Sequence, residues 1–263
     1  MTTPPKIYKT EAIVLRHIPF AEADYLLTLY TPNDGKLRAV VKGARRIKSK
    51  LGGHLEPLMR TSLLITRGQN LDSVNQAEVI EGFRAVREDL SRLSRALYIS
   101  ELVDAITPDE QPNYPVYRLL LDSLHALTED ASPLLMPYFQ LRILGLSGFM
   151  PELYRCVECS STLAPEHHRF TPDRGGTLCD SCHPLNVAVL PLSLDTLKVL
   201  RFLQREEYAK VSRLHLEEPA LSEMERILEA LLHQTLDREV RASRFLSQVE
   251  QGKTQFMRTA GTK

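Results

Sequence analysis

DYLLTLYTPNDGKLRAVVKGARRIKSK, Asp24 to Lys50, carries both the clearest folding signal in the chain and its densest run of positive charge. Asp24 to Tyr30 reads as a strand, and Thr31-Pro32-Asn33-Asp34-Gly35 as a turn whose Asp-Gly pair supplies positive φ. Lys36 to Lys42 is the returning strand. Its polar and apolar residues alternate, so Lys36 and Arg38 should project from one face while Leu37 and Val41 support it. Gly43 lets the backbone turn, and Ala44 to Lys50 then reads as a mobile basic loop able to follow a phosphate chain. Lys36, Arg38, Lys42, Arg45, Arg46, Lys48 and Lys50 are seven cations in fifteen residues without one acid. Like charges at this density repel and need compensation, so an anionic partner is expected there; the bland alternative is a solvated surface strand with a lysine-rich loop.

Working outward, further strands are expected at Tyr8 to Leu15, Met59 to Thr66 and Leu71 to Val79. Five short strands in roughly eighty residues suit a small barrel of the OB type, a fold that binds single strands in a positive groove with rings available for stacking. Tyr8, Phe20, Tyr25 and Tyr30 are the rings on offer, most of them expected in the core. The chain balances 33 basic against 33 acidic residues, yet residues 1–80 hold twelve Lys/Arg against seven Asp/Glu. That surplus of five, offset by an equal deficit beyond, points to a nucleic-acid-facing portion joined to a differently employed one.

Beyond Phe83 the period becomes helical. Leu90, Leu93, Ala96, Leu97, Ile99, Ser100 and Val103 trace one stripe that ends at Thr107-Pro108; further helices are expected at Val116 to Leu127, Pro133 to Leu146, Leu192 to Glu206 and Leu221 to Leu236. Ser222 with Glu225 forms a capping-box signature for the last of these, whose buried face should be Met224, Ile227, Leu228, Leu231 and Leu232. The expected organisation is α+β and multidomain: an OB-type barrel over 1–81, a helical domain over 82–150 and 191–250, a four-cysteine zinc ribbon inserted at 151–190, and a disordered tail at 251–263.

Cys156-Val-Glu-Cys159 and Cys179-Asp-Ser-Cys182 are separated by nineteen residues, a spacing suited to one four-thiolate zinc site. Two CxxC turns aimed at a common centre complete a tetrahedron and leave no position for substrate, so the expected ion is a single structural Zn2+. Pro172 to Gly176 supplies the turn, and Arg169 to Thr171 a short strand, of a zinc ribbon. Two alternatives stand beside it: a pair of redox CxxC motifs, and a catalytic zinc with His183, His167 or His168 in place of one thiolate.

The order of these parts resembles the bacterial RecO family of recombination mediators. The resemblance is carried by Val41-Lys42-Gly43-Ala44-Arg45 in the barrel, Tyr98 to Leu102, Phe139 to Phe149 just before the first CxxC, and the C-terminal Arg241 to Leu246. It runs from about Ile7 to Leu246, and its one departure is Glu239-Val240-Arg241-Ala242, where a Leu-Lys type sequence is more usual. The resemblance implies binding of single- and double-stranded DNA, annealing of complementary strands, and help in placing RecA on DNA coated by single-strand-binding protein. RecR and the C-terminal tail of single-strand-binding protein are the implied partners. A separate class is an interaction adaptor, in which Arg118, Arg142, Arg201 and Arg205 could receive an acidic, apolar-ended peptide in a groove between helices.

Other classes are weaker. No Walker loop, GxSxG or carboxylate cluster with evident metal-ligand spacing is present, and no HxE stands with the cysteines as a metal-base pair, so no enzyme is expected and no catalytic residue is named. An RNA-binding factor remains the alternative, since small barrels and ribbons serve RNA too. The start of the chain lacks an apolar signal, and the most apolar stretch, Leu134 to Met150, is broken by Pro137, Gln140, Arg142 and Gly145, so a cytoplasmic, nucleoid-associated protein without membrane contact is expected.

Overall fold

A computed structural model describes residues 6–236 apart from 47, 50, 130, 131 and 164–167. Two compact units divide the chain, Met1–Glu129 and Asp130–Glu239, apart from the C-terminal residues.

The first unit opens with β1 (Ile7–Phe20), β2 (Asp24–Thr31), β3 (Gly35–Val41), β4 (Arg60–Thr66) and β5 (Asp72–Glu81). They form a closed barrel in the order β1-β2-β3-β5-β4, antiparallel except where β3 meets β5 through Ala39↔Asp72 and Val40↔Ser73. This is OB topology, as expected. Residues two apart point to one face, and Ala12 and Val14, Leu27 and Leu29, Leu37, Ala39 and Val41, and Leu63 and Ile65 fill the interior by that rule. β1 is longer than the expected eight residues. Its first half pairs β4 and its second half pairs β2, with an irregularity between Val14 and Arg16.

Part of the outer face of the barrel is covered as well. After the short α1 (Arg84–Arg87), α2 (Leu90–Ile106) packs against β1 and α3 (Tyr114–Thr128) against β2. Ile13, Leu15, Thr28 and Tyr30 are therefore buried although they alternate with the core residues. Both helices start on a side-chain cap: Arg92 N–H donates to Asp89, and Val116 N–H to Asn113. Because α2 has neighbours on several sides, its buried set departs from the single stripe expected. Leu90 is exposed, while Ser94 and Tyr98 are buried.

The second unit holds α4 (Leu135–Leu146), a three-stranded sheet of β6 (His168–Thr171), β7 (Gly176–Leu178) and β8 (Leu190–Leu192) in the order β7-β6-β8, and then α5 (Leu194–Arg205), α6 (Tyr208–Val211) and α7 (Glu218–Thr235). Gly148, at φ 89°, ends the turn after α4. The buried face of α7 is Met224, Ile227, Leu228, Leu231 and Leu232, as its period requires. Its start differs from the expectation: Pro219 sits in the first turn after an extended Glu217, so Ser222 lies within the helix and caps nothing. The side chain of Glu223 instead accepts from the Ser193 backbone N–H at the start of α5.

Gly35 joins a left-handed backbone to a close approach in the first unit. Its φ is 69°, and a Cβ built there would lie 2.0 Å from the Gln111 carbonyl oxygen. The left-handed backbone and the overlap act together, so Gly35→Ala should lose about 2 kcal/mol or more. Urea unfolding checks this; an unshifted midpoint would mean that the segment around Gln111 does not rest on β3.

Candidate nucleic-acid interface and metal centre

The seven cations do not share one environment. Lys36 lies on the outer face of β3 but is only 5% exposed. Its Nζ donates to the Asp104 carbonyl at 2.6 Å and faces Asp104 Oδ1 at 3.4 Å and Asp109 Oδ1 at 3.2 Å. Arg38, two residues on and half exposed, meets the other Asp109 oxygen at 3.2 Å. The reading of Lys36 as a surface cation is therefore corrected: the end of α2 and the connection after it close over the strand, and burial requires the ammonium to be paired. Arg38 stays at the surface with its charge engaged.

Lys42, Arg45, Arg46 and Lys48 are exposed on consecutive turns after β3. Lys42, Arg46 and Lys48 make no ion pair with a described residue, and Arg45 Nη1 donates only to the Glu22 carbonyl, at 3.3 Å. Lys50 lies outside the described residues. The segment is better anchored than the expected loose loop. Ala44 is buried in the barrel core, Gly43 N–H donates to Asp24 Oδ1 at 2.7 Å, and Arg45 N–H donates to the Ala23 carbonyl at 3.0 Å. These contacts tie the basic turns to the tip of the β1–β2 hairpin, where Phe20 is 41% exposed.

The other three rings are occupied. Tyr30 is buried, which pushes its phenol up to about 12; Tyr25 stacks on His17 at 4.3 Å; Tyr8 donates to Asp72 at 2.9 Å beneath the Arg67 guanidinium. Ile18, 40% exposed, adds an apolar side chain on the outer face. Alternation marked Lys36 as outward-facing. The carboxylates that neutralise it stand 68 and 73 positions away, and Asp104 and Asp109, flanking the helix stop at Pro108, were the only trace of them in the sequence.

Cys156, Cys159, Cys179 and Cys182 converge, with all four sulfurs within 4.8 Å of one another and no disulfide among them. Cys159 Sγ and Cys179 Sγ are 3.8 Å apart, about the edge of a tetrahedron with metal–sulfur bonds of about 2.3 Å. The backbone builds each knuckle. Cys156 N–H donates to the Ser161 carbonyl and Ser160 N–H to the Cys156 carbonyl, while Cys182 N–H turns back to the Cys179 carbonyl. Val157 N–H then donates to Thr177, locking the first knuckle to β7. The Arg169 guanidinium fastens the second knuckle by donating to the carbonyls of Asp180 at 3.0 Å and Cys182 at 2.9 Å. The Ser161 hydroxyl and backbone hold the Cys159 thiol down at about 6, whereas hydrogen bonding to the Cys179 and Cys159 sulfurs pushes Cys182 up to about 12. Low-lying thiolate beside protonated sulfur is the mutual effect that a shared cation would relieve.

The donor set therefore fits one metal ion held by four sulfurs. His168 is buried in the sheet and His183 Nδ1 meets Arg169 at 2.7 Å, so neither joins the cluster; His167 lies outside the described residues. The arginines considered for a peptide groove are engaged elsewhere. Arg118 pairs with Asp122 and Arg205 with Glu206, while Arg142 donates to the Gln204 carbonyl and Arg201 to the Leu153 carbonyl. No described helix is long and apolar enough to cross a membrane. The segment from Glu239 to Leu246 and the tail after it lie outside the described residues.

A barrel of OB topology bearing a basic turn, together with a helical unit carrying a ribbon of four clustered cysteines, defines the class as an OB-barrel, cysteine-ribbon protein. Residues 5–83 match the family described as Recombination protein O N terminal, and residues 87–244 match Recombination protein O C terminal. The chain is 36% identical over 247 residues to the DNA repair protein RecO of Roseiflexus sp. (strain RS-1), covering 94% of this chain and 87% of that one. It is 38% identical over 242 residues to the DNA repair protein RecO of Desulforudis audaxviator (strain MP104C), covering 92% and 96%. The chain belongs to the RecO family of DNA repair proteins.

Two outcomes test the site. Lys36→Ala takes from the Asp104 carbonyl and from the inner oxygens of Asp104 and Asp109 their buried partner and should lose about 1–3 kcal/mol, whereas Lys42→Ala should stay within about 0.5 kcal/mol of the parent. Denaturant unfolding separates them; equal midpoints would return Lys36 to the surface. The ribbon should hold one metal equivalent per chain, fully at neutral pH and progressively less as falling pH protonates the thiolates. Metal content along a pH series checks the sign, and undiminished metal in the Cys159→Ser, Cys182→Ser double variant would place the ligands elsewhere.

Proposed function

We propose that this chain binds single- and double-stranded DNA without sequence preference, anneals complementary strands, and with RecR assists RecA loading onto DNA coated by single-strand-binding protein. The observation that carries the DNA contact is the group Lys42, Arg45, Arg46 and Lys48, exposed on anchored turns beside Phe20. Annealing requires a surface that screens phosphate backbones without reading base edges, and flexible cations do so by counterion release. Phe20 and Ile18 supply an apolar platform for an unpaired base. RecR, and the tail of single-strand-binding protein, are proposed on family membership alone. The ion is Zn2+, held by Cys156, Cys159, Cys179 and Cys182 in a structural role, since four sulfurs of this softness and spacing suit a closed tetrahedral site. The protein acts as a mediator in the cytoplasm, on the nucleoid, and carries out no covalent chemistry on DNA.

Four exposed cations contacting single-stranded phosphates should give a slope near −3 in log affinity against log salt, at about 0.7 per contact. Lys42→Glu, Arg45→Glu and Arg46→Glu together should abolish most binding to any oligonucleotide at moderate salt and with it annealing. Fluorescence anisotropy across a salt series measures both. Parental affinity in the triple variant would remove the basic turns from the function, and a strong preference for matched RNA over DNA would move the assignment to RNA.

A further inference from the structure

Arg38 is a cation at the surface whose charge is engaged by a carboxylate that could leave. The register places Arg16, Thr28 and Arg38 side by side on β1, β2 and β3, and Ile18, Leu26 and Val40 in the next row toward the basic turns. Lys42 continues the same face of the β3 chain beyond Val40. The outer face thus carries an apolar row, with Ile18 exposed, Leu26 half-buried and Val40 buried, between the Arg16–Arg38 row and the Lys42 turns. Arg16 is capped by Asp104 at 3.4 Å and Arg38 by Asp109 at 3.2 Å.

The two aspartates differ in what holds them. Asp104 is largely buried at the end of α2, where its own carbonyl also receives Lys36 Nζ at 2.6 Å. Asp109 is about half exposed, with a side-chain exposure of 45%. The backbone around it docks on β3 independently of its carboxylate. Glu110 N–H donates to the Lys36 carbonyl at 2.8 Å, and Gln111 rests against Gly35. A swing of the carboxylate away from Arg38 also gives up its 3.2 Å contact with Lys36 Nζ, but the connection stays in place and Lys36 keeps both groups of Asp104, so its ammonium remains paired.

We propose that Asp109 is an affinity-setting residue: its carboxylate occupies Arg38 in place of a nucleic-acid phosphate and yields that cation only when a bound strand extends from the basic turns across the outer face of β3. This rests on the DNA-binding reading above. It gives the barrel two footprints, a short one on Lys42 to Lys48 and a longer one that includes Arg38, with the longer one held weak. A protein that must let go of annealed product gains from such a ceiling on affinity.

The test is anisotropy on the full-length chain with short and long single-stranded oligonucleotides across a salt series. Asp109→Asn keeps the shape and the backbone docking while removing the competing charge. It should tighten binding of the long oligonucleotide about two- to five-fold, the size expected of one exposed ion pair. The salt slope should steepen by about 0.7, one further phosphate contact. Adding Arg38→Gln to Asp109→Asn should take both changes back, which separates displacement at Arg38 from a general gain in positive charge. Unchanged affinity and slope in Asp109→Asn, or a gain that survives Arg38→Gln, overturns the inference. If the Lys42, Arg45, Arg46 triple variant loses binding at the same time, the DNA-binding reading stands without it; if that variant binds like the parent, both fall.

Discussion

Closure of the barrel through β1 is the constraint from which the rest of the first unit follows. One strand of fourteen residues must serve β4 with its first half and β2 with its second. At the changeover the ladder reaches a neighbouring loop, with Val14 N–H donating to Met59 and Leu58 N–H to Val14. A closed sheet has no unpaired edge to offer, so anything the barrel binds must meet its outer faces or its ends. The register then decides which loops share an end. Because β2 pairs both β1 and β3, the β1–β2 tip and the exit of β3 are brought together, and Arg45 N–H reaches the Ala23 carbonyl although 22 positions separate them.

Polar groups out of water orient the helices on this barrel. Glu11 accepts from Arg60 at 2.7 Å and from the Tyr117 hydroxyl at 2.9 Å, which joins β1, β4 and α3. Burial, and then the bond to Glu11, raise the Tyr117 phenol well above its ordinary range. Lys36 does the same for β3 and the end of α2. Hydrogen bonds to charged groups contribute about 1.5–3 kcal/mol, and losing one partner leaves the other desolvated. Apolar packing alone would tolerate a sliding helix, whereas these pairs hold in one register. A cation committed in this way to folding is not available to a ligand.

The parts legible in the sequence were those fixed by local rules. Alternation located the barrel strands within a few residues except at the long end of β1, the helical period gave the buried face of α7 residue by residue, and the CxxC spacing brought four sulfurs together. What could not be read was which outward-facing residues a later element would cover. Lys36 and Lys42 follow the same alternation on the same strand direction, and only the return of α2 over β3 distinguishes them. The start of α7 failed for a different reason: Ser222 and Glu225 fit a capping pattern, but Pro219 was already suited to the first turn and took it. β8 was missed because three residues containing a proline make no strand signal without β6 beside them.

The same distinction between committed and uncommitted charge runs through the second unit and argues for its role. Arg142, Arg169 and Arg201 each spend donors on backbone carbonyls, at Gln204, across the second cysteine knuckle, and at Leu153. A guanidinium bound to carbonyls fixes chain geometry without neutralising an acid, and here it ties the segment around the ribbon to α4, α5 and the knuckle. These three guanidinium groups are thereby committed to holding shape. The four sulfurs would act alike around an ion, since a tetrahedron completed by protein leaves no open position. By contrast Lys42, Arg46 and Lys48 fall within seven residues on well-anchored backbone, and their charge is left to solvent by every described acid. Arg16, Lys36, Arg38 and Arg60 each face an acid, whereas these three bear a mutual repulsion that binding of a polyanion would relieve.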